Sequence, residues 1–180
     1  MLILLAEITF VSSQKRQRKA IKIPKNQAKK LTVAKAACSS ALASLFSTLC
    51  DLIQAAGLEE TLDSQDTKFT VFAPTNKAFE ELPDAILNAV QNDVDLLRDV
   101  LLFHTFQGNR VKAKKLVDGA ELQMVNGEIT TTTRENKLTI YQSGPGNNDD
   151  DLPRIILPNV FVSNGMIHAV DEVLLPDLDL

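Results

Sequence analysis

The chain has 180 residues, of which 44% are hydrophobic and 23% charged, and a formal net charge of −4. That length fits one domain with tails, and that apolar content is ordinary for a packed core, which argues against a disordered chain. Charge is uneven: Lys15, Arg16, Arg18, Lys19, Lys22, Lys25, Lys29, Lys30 and Lys35 lie in a stretch with no acid between Glu7 and Asp51, leaving 10 basic against 22 acidic residues beyond position 35, a net −12. A globular part of that sign repels phosphate backbones and argues against nucleic-acid binding by the domain.

The apolar run Leu2-Ile3-Leu4-Leu5 is too short to span a bilayer and is followed by Glu7, so it offers no transmembrane segment. Basic residues follow the run, whereas a secretory signal places them before it. Residues 1–35 therefore read as a basic leader, an organelle transit sequence, an incorrectly chosen start or a disordered tail, and the domain is placed at 36–177.

From Val33 onward, Leu42, Leu45, Phe46, Leu49, Leu52, Ile53 and Ala56 recur at helical spacing, as one long helix or two shorter ones broken near Ser44 or Ser47. Gly57 suits the left-handed exit of that helix. Cys38 and Cys50 would stand about 18 Å apart on an unbroken helix, beyond disulfide reach, which favours buried free thiols; a break near Ser39-Ser40 would bring them together. Leu62 and the polar run after it cross the surface to Thr70-Val71-Phe72-Ala73-Pro74, a short core strand that the proline ends. Thr75 or Asn76 then caps a helix carrying Ala78, Phe79 and Leu82 on one face. Pro83 and Asp93 each start a further helix, and Phe103-His104-Thr105-Phe106 is a candidate strand.

Beyond Gly108 the period changes. Residues 121–125 and 128–133 flank Asn126-Gly127, the signal for a two-residue hairpin with both positions at positive φ. Residues 137–141 continue the meander. An acidic loop follows over residues 144–151, then residues 154–157 and 159–162 lead to a second Asn-Gly turn at Asn164-Gly165. Helices first and strands later indicate an α+β fold.

Three boxes resemble the signature of the fasciclin-like domain family: Thr70, Phe72, Ala73, Pro74, Thr75, Asn76 and Phe79; Leu102-Phe103-His104-Thr105, where the family carries a Tyr-His pair; and Asn164, Gly165, Ile167, His168 and Asp171. Their order and separations match the family over residues 36–177. The resemblance implies a wedge of β-sheets with helices packed on one side. It also implies a non-catalytic cell-adhesion or matrix-interaction module of extracellular or cell-surface location, with a protein or matrix partner, self-association as a further option, and no cofactor. Phe103 and His104 would be its partner contact, without the tyrosine hydroxyl linked to integrin contact in the family. No Arg-Gly-Asp occurs, and Pro158-Asn159-Val160 stands where an Asp-Ile pair would be.

The residues read alone give a consistent account. His104 and His168, the two histidines, lie in apolar runs and read as hydrogen-bonded core residues, with no zinc-ligand spacing. Ser163, His168 and Asp171 do not make a triad, because residues three apart on a strand face opposite ways. Asp171 reads as a structural acceptor, and Phe72, Phe79, Phe103 and Ile167 as core. Residues 147–151 lack the order of a calcium loop. A second function class remains: a carrier holding a lipid, pigment or other small apolar ligand between sheet and helices.

Overall fold

The computed structural model describes residues 30–137, 139–148 and 152–178. Residues 1–29, which hold most of the basic stretch, Leu138 of the meander and Asp149, Asp150 and Asp151 of the acidic loop lie outside the described residues.

Thr32 caps helix α1 (Val33–Ala37) by accepting the Lys35 N–H, and the helix buries Val33, Ala34, Ala36 and Ala37. The chain then turns: the Ser39 hydroxyl donates to the Ala36 carbonyl and the Leu42 N–H to the Ser39 carbonyl. Helix α2 (Ala43–Ala55) starts beyond that turn, and Cys38 and Cys50, with Cα atoms 4.9 Å apart, form a disulfide. The expectation of free thiols is thereby corrected, since it assumed an unbroken helix. Within α2, Phe46 leaves helical geometry (φ −130°, ψ 17°), so the serine-flanked kink falls on the phenylalanine between Ser44 and Ser47. The end of α2 is a Schellman motif: Leu58 N–H donates to Ile53 and Gly57 N–H to Gln54, each at 3.0 Å. A one-turn helix, α3 (Glu59–Asp63), then brings Asp63 back to the Thr32 hydroxyl and the Lys35 ammonium.

Strand β1 (Phe69–Pro74) is buried along its whole length because it lies inside a four-stranded sheet. Numbered in chain order, β2 (Thr105–Gln107) pairs antiparallel on one side of it, β7 (Gly165–Val170) pairs parallel on the other, and β6 (Ile155–Val162) pairs outside β7. Alternation sorts the side chains. Phe69, Val71, Ala73, Ile167 and Ala169 pack under the helices; Phe72 and Val170 face a second cluster with Phe103, Leu116, Met124, Ile140, Ile155 and Leu174. The second sheet, β3 (Glu121–Gln123), β4 (Ile129–Arg134) and β5 (Ile140–Ser143), closes that cluster and touches the first sheet where Tyr141 bridges to Arg154.

Helices α4 (Asn76–Glu80), α5 (Asp84–Asn92) and α6 (Val94–Phe103) complete the helical side. Thr75 caps α4, Pro83 stands at the cap position of α5, and Asp93 caps α6 by accepting the Asp95 and Leu96 N–H groups.

Two local expectations change. Phe103 ends α6 and His104 caps it, so the strand begins only at Thr105; the His104 ring and the Thr105 hydroxyl both bond carbonyls of the last helical turn. The β3–β4 connection is a three-residue loop, Val125-Asn126-Gly127, closed by Met124 N–H to Glu128 O at 2.8 Å and Gly127 N–H to Met124 O at 2.9 Å. Of its residues only Gly127 has positive φ (99°), the arrangement of a type I turn followed by a left-handed glycine. Asn126 stays outside that region because its side chain accepts the Glu128 N–H and donates to Glu128 and Asp99.

Candidate functional site

The first and last boxes meet as neighbouring strands. β1 and β7 run side by side with Phe72 opposite His168 and Ala73 opposite Ala169. Thr70 is buried and fully used: its hydroxyl donates to the Asn109 carbonyl at 2.7 Å and accepts the Val111 N–H at 2.9 Å. Pro74 ends the strand, leaving Thr75 N–H to reach the Val170 carbonyl at 3.2 Å. Asn76 serves the kink in α2. Its amide oxygen accepts the Thr48 N–H at 3.0 Å and its nitrogen faces the Ala43 and Ser44 carbonyls, groups that the non-helical Phe46 leaves without a regular helical partner. Phe79 packs into the helix-side core.

Asn164 does the equivalent work at the other end. Buried in the β6–β7 turn, it accepts the Val33 N–H and donates to the Leu62 and Ser64 carbonyls, all at 2.8 Å, so one amide ties α1 and α3 to the sheet. Gly165 follows because a Cβ there would stand 2.4 Å from the Phe69 carbonyl oxygen of β1. Ile167 packs under the helices. Asp171 accepts the Arg154 N–H, Nε and Nη2, locking the entry of β6 onto the exit of β7.

Both histidines are buried bridges held in opposite tautomers. The Leu174 N–H donates to Nε2 of His104 at 2.9 Å, so the ring proton sits on Nδ1 and donates to the Val100 carbonyl at 2.7 Å. The Asn159 N–H faces Nδ1 of His168 at 3.3 Å, so here the proton sits on Nε2 and donates to the Val111 carbonyl at 2.8 Å. Phe72 stacks on the His168 ring with centroids 5.6 Å apart. Burial outweighs the carbonyl contact in each case and lowers both imidazoles from 6.5 to about 4, so both are neutral at pH 7.

These positions decide what the residues can do. Phe103 is fully buried and His104 is 2% exposed, so neither presents a surface to a partner, and their place in the fold is packing. Ser163, His168 and Asp171 do not meet as a catalytic group: the Ser163 hydroxyl accepts from Gln65, His168 is spent on backbone, and Asp171 is spent on Arg154. Among the described residues no three His, Cys, Asp or Glu side chains gather as metal ligands, and no buried side-chain polar atom lacks a partner.

Three clamps escaped the sequence reading. Arg110 donates to the Val162, Ser163 and Gly165 carbonyls, and Asn147 joins Gly144 to Val173 and Leu175. Asn159, at φ 62°, accepts the Ala113 N–H in a β6 bulge. Asn147 beside Gly146 and Asn159 beside Pro158 carried the available signal, and Arg110 carried none, but apart from Gly144 their partners are 26 to 55 positions away.

Among the described residues, two surface clefts bear on ligand binding. One, about 230 Å³, is lined by uncharged residues including Leu62, Phe69, Leu102, Gln107 and Val125. The other, about 500 Å³, is polar and carries Lys77, Glu81, Asp171 and Glu172.

Comparison with known proteins agrees with this architecture. The family described as Fasciclin domain matches residues 44–176. Transforming growth factor-beta-induced protein ig-h3 of Sus scrofa is 35% identical over 132 residues, 73% of this chain and 18% of that protein. Cell surface glycolipoprotein MPB83 of Mycobacterium bovis is 27% identical over 119 residues, 66% of this chain and 48% of that protein. The chain thus spans less than half the length of either relative. Among solved structures, the domain pair of the insect cell adhesion molecule fasciclin I superposes with a TM-score of 0.64 at 16% identity, over 82% of this chain and 51% of that one. The chain belongs to the fasciclin domain family.

Proposed function

We propose that this chain is a non-catalytic adhesion or matrix-interaction module that works at the cell surface or outside the cell, with a protein or matrix component as its partner. The observation that carries the reading is the consumption of the signature polar groups inside the fold: Asn76, His104, Asn164, His168 and Asp171 each bond internally, so the domain offers a braced surface rather than a reactive group. The relatives lend support, one being a cell surface glycolipoprotein and the solved neighbour belonging to a cell adhesion molecule. The Cys38–Cys50 disulfide supports a compartment more oxidising than the cytosol.

A carrier of a lipid or pigment is the second reading. The space between the first sheet and the helices is filled by Phe46, Leu49, Ile53, Phe69 and Ile167, and the uncharged cleft of about 230 Å³ is smaller than the roughly 300–1,000 Å³ of small-molecule pockets. The test is retention. Beads coated with the full chain should be held by cell surfaces or cell-free matrix from the source organism more than beads bearing an unrelated protein of equal net charge. Equal retention, or a lipid or chromophore recovered with the natural protein, would refute the module reading.

A further inference from the structure

Positive charge is gathered in one part of an acidic domain. Six of the 10 basic residues beyond position 35 fall within residues 110–137, beside four of the 22 acids, and the remainder carries four bases against 18 acids. Within that stretch both arginines are spent on structure. Arg110 donates to carbonyls of the β6–β7 turn, and Arg134 donates to the Ala113 and Leu116 carbonyls on one side and the Lys137 carbonyl on the other. The lysines are left over. Lys112, Lys114 and Lys115, on the 3-10 turn Ala113–Lys115 and its cap, and Lys137 are exposed and make no ion pair with any described carboxylate. One guanidinium thus holds the two lysine-bearing segments together, and Asn159 fixes the turn from β6 by accepting the Ala113 N–H at 2.9 Å.

The same place holds exposed apolar surface. Phe161 of β6 is 41% exposed with the Lys112 ammonium 5.8 Å from its ring centroid, and Val117, 56% exposed, follows Lys115 by two residues. The local acid, Asp118, is engaged by the Arg134 N–H. Neither of the two clefts includes these residues, so the patch suits a ligand that lies along a surface rather than one that fills a pocket.

We propose that Lys112, Lys114, Lys115, Lys137 and Phe161 form a binding strip for an acidic polysaccharide, a chain of sugar rings bearing sulfate or carboxylate groups. Three features select that occupant. Ammonium groups are compact point charges that meet an anion from any side, whereas planar, bidentate recognition of a single carboxylate needs the arginine forks that are consumed inside the fold. An exposed aromatic ring beside cations gives the apolar C–H face of a sugar ring a flat surface to cover. A linear polyanion is narrow enough to touch the strip alone, while an anionic membrane or a broad acidic protein face would also meet the 18 acids of the remainder. This deepens the module reading by giving the chemistry of its matrix partner, and it rests on that reading only for its biological use. The contact is salt-dependent, because it is built from exposed charges.

Lysine footprinting of the full chain tests it and separates the strip from the basic residues before position 36. The chain is acetylated with limiting reagent, with and without dextran sulfate as the probe, and each lysine is read by mass spectrometry. At about 0.02 M salt, dextran sulfate should slow modification of Lys112, Lys114, Lys115 and Lys137 by roughly threefold or more, and about 0.5 M salt should abolish that protection. Lys68 and Lys77, outside the strip, should react at the same rate throughout. Neutral dextran should protect nothing, and polyglutamate of equal charge should protect the strip less than dextran sulfate does, since it brings no rings to Phe161. Phe161→Ser, which changes no charge, should lower the dextran sulfate protection to the polyglutamate level. Protection confined to lysines before position 36, equal protection by polyglutamate, or unchanged protection in a Phe161→Ser variant would overturn the proposal. None of these outcomes bears on bead retention by matrix, which tests the module reading separately.

Discussion

Acid should unfold this domain through its two histidines. Each imidazole accepts one backbone N–H and donates to one carbonyl, a pattern only the neutral ring can satisfy, and burial holds each at about 4 against 6.5 in the unfolded chain. Between those values the unfolded state takes up protons that the folded state refuses, so stability is full above pH 6.5 and falls as pH drops toward 4. Each histidine then removes about 2 kcal/mol by pH 5 and about 3 kcal/mol by pH 4, or roughly 4 and 6 kcal/mol for the pair, a large part of the 5–15 kcal/mol of a typical domain. The assay is urea unfolding followed by far-UV circular dichroism from pH 7.5 to 5, since the chain has no tryptophan and a single tyrosine. His104→Gln should lower stability at pH 7.5 and remove about half of the pH slope. A midpoint that stays level from pH 7.5 to 5 would refute the neutral-bridge assignment, as would an unchanged slope in both single variants.

The other predictions concern the braces. Asn164→Ala leaves the Val33 N–H and the Leu62 and Ser64 carbonyls without their partner and should cost about 3 kcal/mol or more in urea midpoint analysis. Gly165→Ala drives a methyl group into the Phe69 carbonyl, which is backbone and cannot rotate away; a loss of about 3 kcal/mol or insoluble expression is expected, and a wild-type midpoint would contradict the close approach. Reducing the Cys38–Cys50 bridge opens a loop spanning 12 positions and should cost about 3 kcal/mol, read as a lower urea midpoint in reductant that is absent in Cys38→Ser with Cys50→Ser.

Much of the fold was legible because it rests on local chemistry. The apolar run before Pro74, the Gly57 exit and the Asp93 cap each state their geometry within a few residues, and β1, the end of α2 and the start of α6 follow them. What stayed hidden depends on distant partners. The break expected near Ser44 or Ser47 falls between them at Phe46, but its support was hidden: Asn76, 30 positions later, takes up the groups the kink frees. The disulfide required the bend at Ser39; the serine pair at 39 and 40 offered that break, but the helical period running across it favoured free thiols. Asn126-Gly127 suggested a two-residue turn, yet Val125 N–H is drawn to the Thr105 carbonyl of β2 and the loop widens to three. For the site, the residues read alone made the histidines hydrogen-bonded core, Asp171 a structural acceptor and the phenylalanines core, and the fold agrees; the partner contact that the resemblance implied at Phe103 and His104 is closed over.

The central claim is that a rigid, non-catalytic domain works outside the reducing interior of the cell. The most direct test is to recover the natural protein from separated extracellular and intracellular fractions and to determine by mass spectrometry its N-terminus and the state of Cys38 and Cys50. The account predicts protein outside the cell or on its surface, starting after the basic stretch, with the two cysteines joined. Protein confined to the interior, beginning at Met1 or Leu2 with both thiols reduced, would leave the fold in place and contradict the adhesion reading.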